Sequence, residues 1–200
     1  MELGQNDLHA DPVEQFRRWF DEAKRAVPQL PECMILATAS KDGEVSARAV
    51  LLKGFDARGF VFFTNYNSRK AAQIHENPRA ALTFWWPQME RQVRIEGAVV
   101  RTTEEESDEY FASRPRGSQI GAWASEQSKV IAGRGDLDAH FEQLSATYHD
   151  RPIPRPPHWG GYRVMPILFE FWQSRDDRLH DRFQYRLREA NDWVIERLSP

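Results

Sequence analysis

Four short clusters hold cationic or titratable side chains at spacings that suit chemistry: RAVLLK (Arg48 to Lys53), NSRK (Asn67 to Lys70), YFASRPRGS (Tyr110 to Ser118) and RLHDRF (Arg178 to Phe183). In NSRK an arginine and a lysine fall in the first turn of an expected helix and face the positive end of its dipole, which costs up to about 1 kcal/mol. A bound phosphate reverses that sign, because the helix-terminal N–H groups and both cations then point at an anion. Two solvated side chains tolerating the dipole are the plainer alternative. In RAVLLK, Arg48 and Lys53 are five apart and fall on opposite faces of a regular strand, so they serve different ligands unless a bulge re-aims one. Lys53, just before Gly54, equally fits a charge snorkelling at a strand end.

In YFASRPRGS, Tyr110 and Arg114 are four apart and share a helix face, with Ser118 just beyond. A phenol, a guanidinium and a hydroxyl converging from one turn can cradle a phosphate; Arg114 capping the last helical carbonyls fits the segment as well. Read with the period of two of a strand, RLHDRF sets Arg178, His180 and Arg182 on one face. An edge strand guarded by charge is the alternative there. The formal charge of the chain is -3. Four cationic clusters against that background point to a ligand with more than one anionic group.

The remaining composition is mainly exclusionary. A sequence pI of about 6.1 gives no global basic field for nucleic acid. GxGxxG, Walker, CxxC, HExxH and GxSxG motifs are all lacking, and the six histidines have no ligand spacing, so no metal site is expected. The single cysteine, Cys33, forms no intrachain disulfide and suits a reducing cytoplasm. Neither a signal peptide nor an apolar run of about 20 residues is present, so neither secretion nor membrane insertion is expected.

The elements that must position these clusters are mostly strands. After a polar, unpatterned segment over residues 1–10, expected to be flexible, a single domain spans 11–200. Asp11 as N-cap, Pro12 in the first turn and Glu14 at the capping-box position open a helix whose stripe is Val13, Phe16, Phe20 and Ala23, flanked by Trp19. CMILATAS, VSARAVLLKG and FVFFTN read as three strands joined by Asp/Gly turns. A short helix from NSRKAAQIHEN and two strands, ALTFWW and RQVRIEGAVVR, follow. TTEEESDEYFASR is a helix with a capping box from Thr103 to Glu106. SRPRGSQIGAWASEQS reads as a loop with one helical turn, and Leu137, Phe141 and Leu144 mark another helix. YRVMPILFEFWQ, RLHDRFQYRL and DWVIERLS are the last strands. The fold expected is mainly β with α, an antiparallel, Greek-key-like barrel decorated by helices.

In order, RAVLLKGFDARGFVFFTNYNSRK, ALTFWWPQMERQVRIEG, YFASRPRGSQIGAWASEQS, WGGYRV and FEFWQ followed by RLHDRF closely resemble the pyridoxine/pyridoxamine 5'-phosphate oxidase family, from about Pro12 to Pro200. The resemblance implies a homodimer of split β-barrels with FMN at the subunit interface. It places Arg48, Lys53, Phe63, Thr64, Arg69, Lys70, Gln92, Gln127, Ser128, Trp172 and Arg182 at FMN-binding positions. Lys53, Tyr110, Arg114, Ser118, Arg178 and His180 fall at substrate positions, with Arg178 and His180 nearest the chemistry. The implied reaction oxidises pyridoxamine or pyridoxine 5'-phosphate to pyridoxal 5'-phosphate, with O2 as acceptor and release of H2O2. Many members have tyrosine where this chain has Phe63, and an N-terminal segment with arginine and tyrosine that MELGQNDLHA lacks. The rival readings are a phenazine-type oxidase of the same fold and a non-catalytic FMN- or pyridoxal phosphate-binding protein.

Overall fold

Two residues, Leu52 and Lys53, join the opposite ends of the sheet. The computed structural model describes residues 2–189 and 192–200, and the strands among them form one antiparallel sheet. They are β1 (Cys33–Ala39), β2 (Val45–Leu51), β3 (Gly54–Asp56), β4 (Gly59–Asn65), β5 (Arg79–Trp86), β6 (Arg91–Arg101), β7 (Trp159–Gln173), β8 (Asp181–Glu189) and β9 (Asp192–Arg197). The spatial order is β2-β1-β5-β6-β7-β4-β3, with β8 paired to β7 and β9 to β8. β2 and β3 therefore lie at the two ends of the path although they are almost consecutive in sequence. Leu52 N–H donates to the Glu32 carbonyl, beside β1, and Lys53 N–H donates to Val61 of β4. The sheet has to curl until its ends meet at this seam, which makes the expected barrel.

β7 is the longest strand and serves both halves. Trp159 to Val164 pair with β4, whereas Leu168 to Gln173 pair with β8. Its register with β6 slips between Glu96 and Gly97, where the strand bends. A Cβ on Gly97 would lie 2.0 Å from the Met165 carbonyl oxygen, so only glycine fits the bend.

The first helix, α1 (Pro12–Ala26), starts at Asp11, whose side chain accepts from Val13 N–H. Glu14 does not complete a capping box: it pairs with Arg17 one turn on. Val13, Phe16, Trp19, Phe20 and Ala23 are all buried. Phe16 plugs the barrel, its ring 4.9 Å from those of Phe55 and Phe60 and 5.0 Å from Phe84. Burying each such ring stabilises the fold by about 1.5–3 kcal/mol.

α2 (Arg69–Glu76) follows β4, and α3 (Glu104–Ser113) opens with the expected Thr103–Glu106 capping box. α4 (Arg116–Ala124) corrects the sequence reading, which gave this segment as a loop with one turn. Its two glycines argued against a helix, yet a Cβ on Gly117 or Gly121 would meet nothing within 4 Å. α5 (Arg134–Thr147) contains Leu137, Phe141 and Leu144.

RLHDRF is also corrected. Asp177 and Arg178 have φ of 55° and 61° in a tight turn, and β8 begins only at Asp181, so Arg178 and His180 precede the strand. The polar N-terminal segment is packed onto this region: Leu3 is buried, and its N–H donates to Asp181 Oδ2 at 3.0 Å. Tyr185 O–H donates to the His9 carbonyl at 2.8 Å. Main-chain groups make these contacts, which side-chain patterning does not reveal. Met1 of that segment and Ala190–Asn191 lie outside the described residues. No helix among the described residues is long and apolar enough to cross a membrane.

Candidate active site

The barrel seam opens into a cavity of about 870 Å³. Arg48, Lys53, Phe63, Thr64, Lys70, Tyr110, Arg114, Ser118, Gln127 and Ser128 all line it. Arg48 and Lys53, expected on opposite strand faces, share the cavity because β2 ends at Leu51 and the chain then turns onto β4. Among the described residues, four cations and no carboxylate line this cavity.

At one cluster, Lys70 lies buried in the first turn of α2, as the sequence places it. Its Nζ donates to Gln127 Oε1 at 2.8 Å, Thr64 Oγ1 at 3.1 Å and Ser68 Oγ at 3.2 Å, all neutral acceptors. Burial, then the nearby Arg48 charge, push its ammonium down to about 8. Arg48 is lowered for the same first reason, with Arg69 as the second. Arg69 itself is exposed and outside the cavity lining, and its main-chain N–H donates to Ser128 Oγ at 3.2 Å. Ser128 holds a left-handed φ of 75°, strained for a non-glycine residue. Such a cluster of neighbouring cations without a counter-charge is an anion site in its chemistry.

The second cluster is aromatic and cationic. Phe63 and Tyr110 stack with centroids 4.0 Å apart and planes at 18°. Lys53 Nζ stands 6.0 Å from the Tyr110 ring centroid. Arg114 lies over Trp159, 4.6 Å from its centroid, and its Nη1 is buried with no hydrogen-bond partner. The capping alternative for Arg114 fails, because Gln119 Nε2 takes the Phe111 and Ala112 carbonyls instead. Trp159 is the site residue that the sequence reading left without a role. Its signal was the WGG triplet: a Cβ on Gly161 would lie 2.8 Å from the Phe63 ring, so the glycine makes room for the stack beside it.

The other expected residues lie away from this cavity. Gln92, Trp172 and Arg182 are register partners across β6, β7 and β8. Arg182 Nε donates to the buried Glu170 at 2.8 Å, and the His180 ring lies 4.6 Å from Trp172. Arg178 is exposed on its turn. The expected site residues thus fall into two separate groups on one chain. Among the described residues no cluster of His, Cys, Asp and Glu is arranged to hold a metal ion.

A curled antiparallel barrel with a cationic cavity at its seam places this chain in the split-barrel class of fold. A pyridoxamine 5'-phosphate oxidase-related, FMN-binding protein from Nostoc punctiforme shares the fold at a TM-score of 0.76 and 17% identity, over 95% of this chain and 98% of that one. Residues 20–148 match the pyridoxamine 5'-phosphate oxidase family model, and residues 159–200 match the pyridoxine 5'-phosphate oxidase C-terminal dimerisation region. The chain belongs to the pyridoxine/pyridoxamine 5'-phosphate oxidase family. The relatives bearing that name in Acaryochloris marina and Rubrobacter xylanophilus are 55% and 56% identical over 99% of this chain, covering 90% and 91% of their own. PhzG from Burkholderia lata, solved with tetrahydrophenazine-1-carboxylic acid, is 34% identical with a TM-score of 0.92, over 100% of this chain and 98% of that one.

Proposed function

We propose that this chain is an FMN-dependent oxidase that converts pyridoxamine and pyridoxine 5'-phosphate to pyridoxal 5'-phosphate, with O2 as acceptor and H2O2 as second product. The observation that carries the reading is the cavity lined, among the described residues, by four cations and no carboxylate. Its residues fit the cofactor: the Arg48–Lys70 cluster, with Arg69, Thr64, Gln127 and Ser128, would hold the flavin phosphate. Lys53, Tyr110, Ser118 and Arg114, with its unpartnered Nη1, would hold the substrate phosphate. Bound flavin would supply the acceptor for the hydride that leaves substrate C4'.

The chain's own contribution is orientation and charge. Holding the substrate by its phosphate would tether one end of its ring, and the Phe63–Tyr110–Trp159 stack gives the cavity an apolar wall beside those cations. Gln92, Trp172 and Arg182 would complete the flavin site, and Arg178 and His180 the substrate site, from a second copy of the chain. That arrangement puts the cofactor between subunits and accounts for the two separate groups on one chain. His180 would donate to the substrate from Nε2, because its Nδ1 already accepts the Arg175 N–H at 3.1 Å.

The 34% identity to PhzG keeps a phenazine-type substrate as the competing reading. Purified protein should be yellow and form pyridoxal phosphate from both phosphorylated substrates with consumption of oxygen. A yellow protein that binds pyridoxal phosphate without producing it would sink the oxidase reading.

A further inference from the structure

Behind Arg48 lies a side chain that none of the four cationic clusters includes. Gln73, on α2, is only 5% exposed. Its Nε2 donates to the Glu44 carbonyl at 3.0 Å, which turns Oε1 toward Thr38 on β1 and Ser46 on β2. Both hydroxyls donate to that one oxygen, each at 2.6 Å. With their hydrogens committed, each presents lone pairs outward, and Arg48 fills them. Its Nη1 donates to Thr38 Oγ1 at 2.7 Å and to the Leu36 carbonyl at 3.2 Å, and its Nη2 donates to Ser46 Oγ.

We propose that Gln73 is a positioning residue for cofactor binding: through Thr38 and Ser46 it aims Arg48 at the flavin phosphate while leaving the arginine's charge uncancelled. The proposal rests on the reading that FMN places its phosphate against Arg48 and Lys70. A lone hydroxyl rotates and can donate as readily as accept, so something must decide which way these two point. The amide oxygen decides it for both. A carboxylate in its place would orient them equally well, but it would set a negative charge behind the guanidinium and weaken the field that the anion meets. This chain does use a carboxylate elsewhere: Glu170 holds Arg94 and Arg182 together. At Arg48 every acceptor is neutral.

The test is titration of flavin-free protein at pH 8 with FMN and with riboflavin, which differ only by the phosphate. Gln73→Glu keeps the acceptor and adds the charge. It should weaken FMN binding by about tenfold, the size of one charge-assisted hydrogen bond, and leave riboflavin binding unchanged. Gln73→Met removes the relay and should lower the FMN-to-riboflavin ratio severalfold. Ser46→Ala, which removes one arm at a half-buried position, carries the same expectation if the methionine variant does not fold. Parallel losses for both flavins would show a purely structural role and overturn the proposal, as would an unchanged ratio in Gln73→Glu and Ser46→Ala. A wild-type protein with no preference for FMN over riboflavin would instead remove the phosphate reading beneath it.

Discussion

Nδ1 of His180 accepts the main-chain N–H of Arg175 at 3.1 Å, which places the proton of the neutral ring on Nε2. A nitrogen that already carries hydrogen cannot take another, so the exposed edge of this ring is a donor. His180→Gln, whose amide N–H2 reaches a similar point, should keep kcat within about tenfold of wild type. A general base contributes roughly 10²–10⁴-fold, and a loss of that size in stopped-flow reduction of the flavin would assign proton transfer to His180 after all.

Lys70 gives the cofactor site a pH dependence. In the free protein its ammonium titrates at about 8, below its ordinary value, and a phosphate beside it would raise that value again. Binding then takes up a proton in the window above 8. FMN affinity should be constant below pH 8 and fall by up to tenfold per unit above it; in Lys70→Met it should be weaker and flat across that window. Fluorescence titration from pH 6.5 to 9.5 reads both. The same depression means that the flavin-free protein gains stability as pH rises from about 8 toward 10.5, where burying the charge ceases to cost.

Arg114 bears a buried Nη1 without a partner, which costs about 1–3 kcal/mol until an anion arrives. Arg114→Met keeps an apolar stem over Trp159 and should leave the Tm of the flavin-free protein unchanged or higher. KM for the phosphorylated substrate should rise tenfold or more with little change in kcat, whereas Arg178→Ala should lower kcat as well. Steady-state kinetics showing the opposite division would reject these roles.

Glu170, 4% exposed, lies between Arg94 Nη1 at 3.0 Å and Arg182 Nε at 2.8 Å. Glu170→Gln removes the charge shared by two cations that are themselves partly solvated. The expected loss is about 3 kcal/mol, at the low end for a broken buried pair. Urea unfolding of the flavin-free protein with a change below about 1 kcal/mol would show that solvent already screens both arginines.

Much of this was legible in the residues. The α1 stripe, the Asp/Gly turns and the Thr103 capping box rest on local rules and form as expected. The cation clusters were visible because charge in an apolar strand or a helix's first turn is locally unfavourable. What stayed hidden depends on distant groups. Arg48 and Lys53 share a cavity only because the chain changes strand partners between them. The helical state of Arg116–Ala124 follows from tertiary packing that overrides two glycines. Gln73 carries no unusual local signal, and Glu170, although a charge within the apolar run ILFEFW, gives no hint in the sequence of the two arginines it holds.

The length of β7 decides how damage to this enzyme would be inherited. Trp159 and Trp172 are 13 residues apart on that strand, a contour of roughly 40 Å along its bent path. On the proposed reading, one bound flavin meets the Trp159 end of this strand in one subunit and the Trp172 end in the other. Chains inactivated at Arg114 and chains inactivated at Arg178 should therefore rescue one another when mixed. Each hybrid dimer would pair the two intact halves at one site and both lesions at the other, so up to half of the sites in every hybrid would work. Two defective alleles could then sustain vitamin supply together where neither suffices alone.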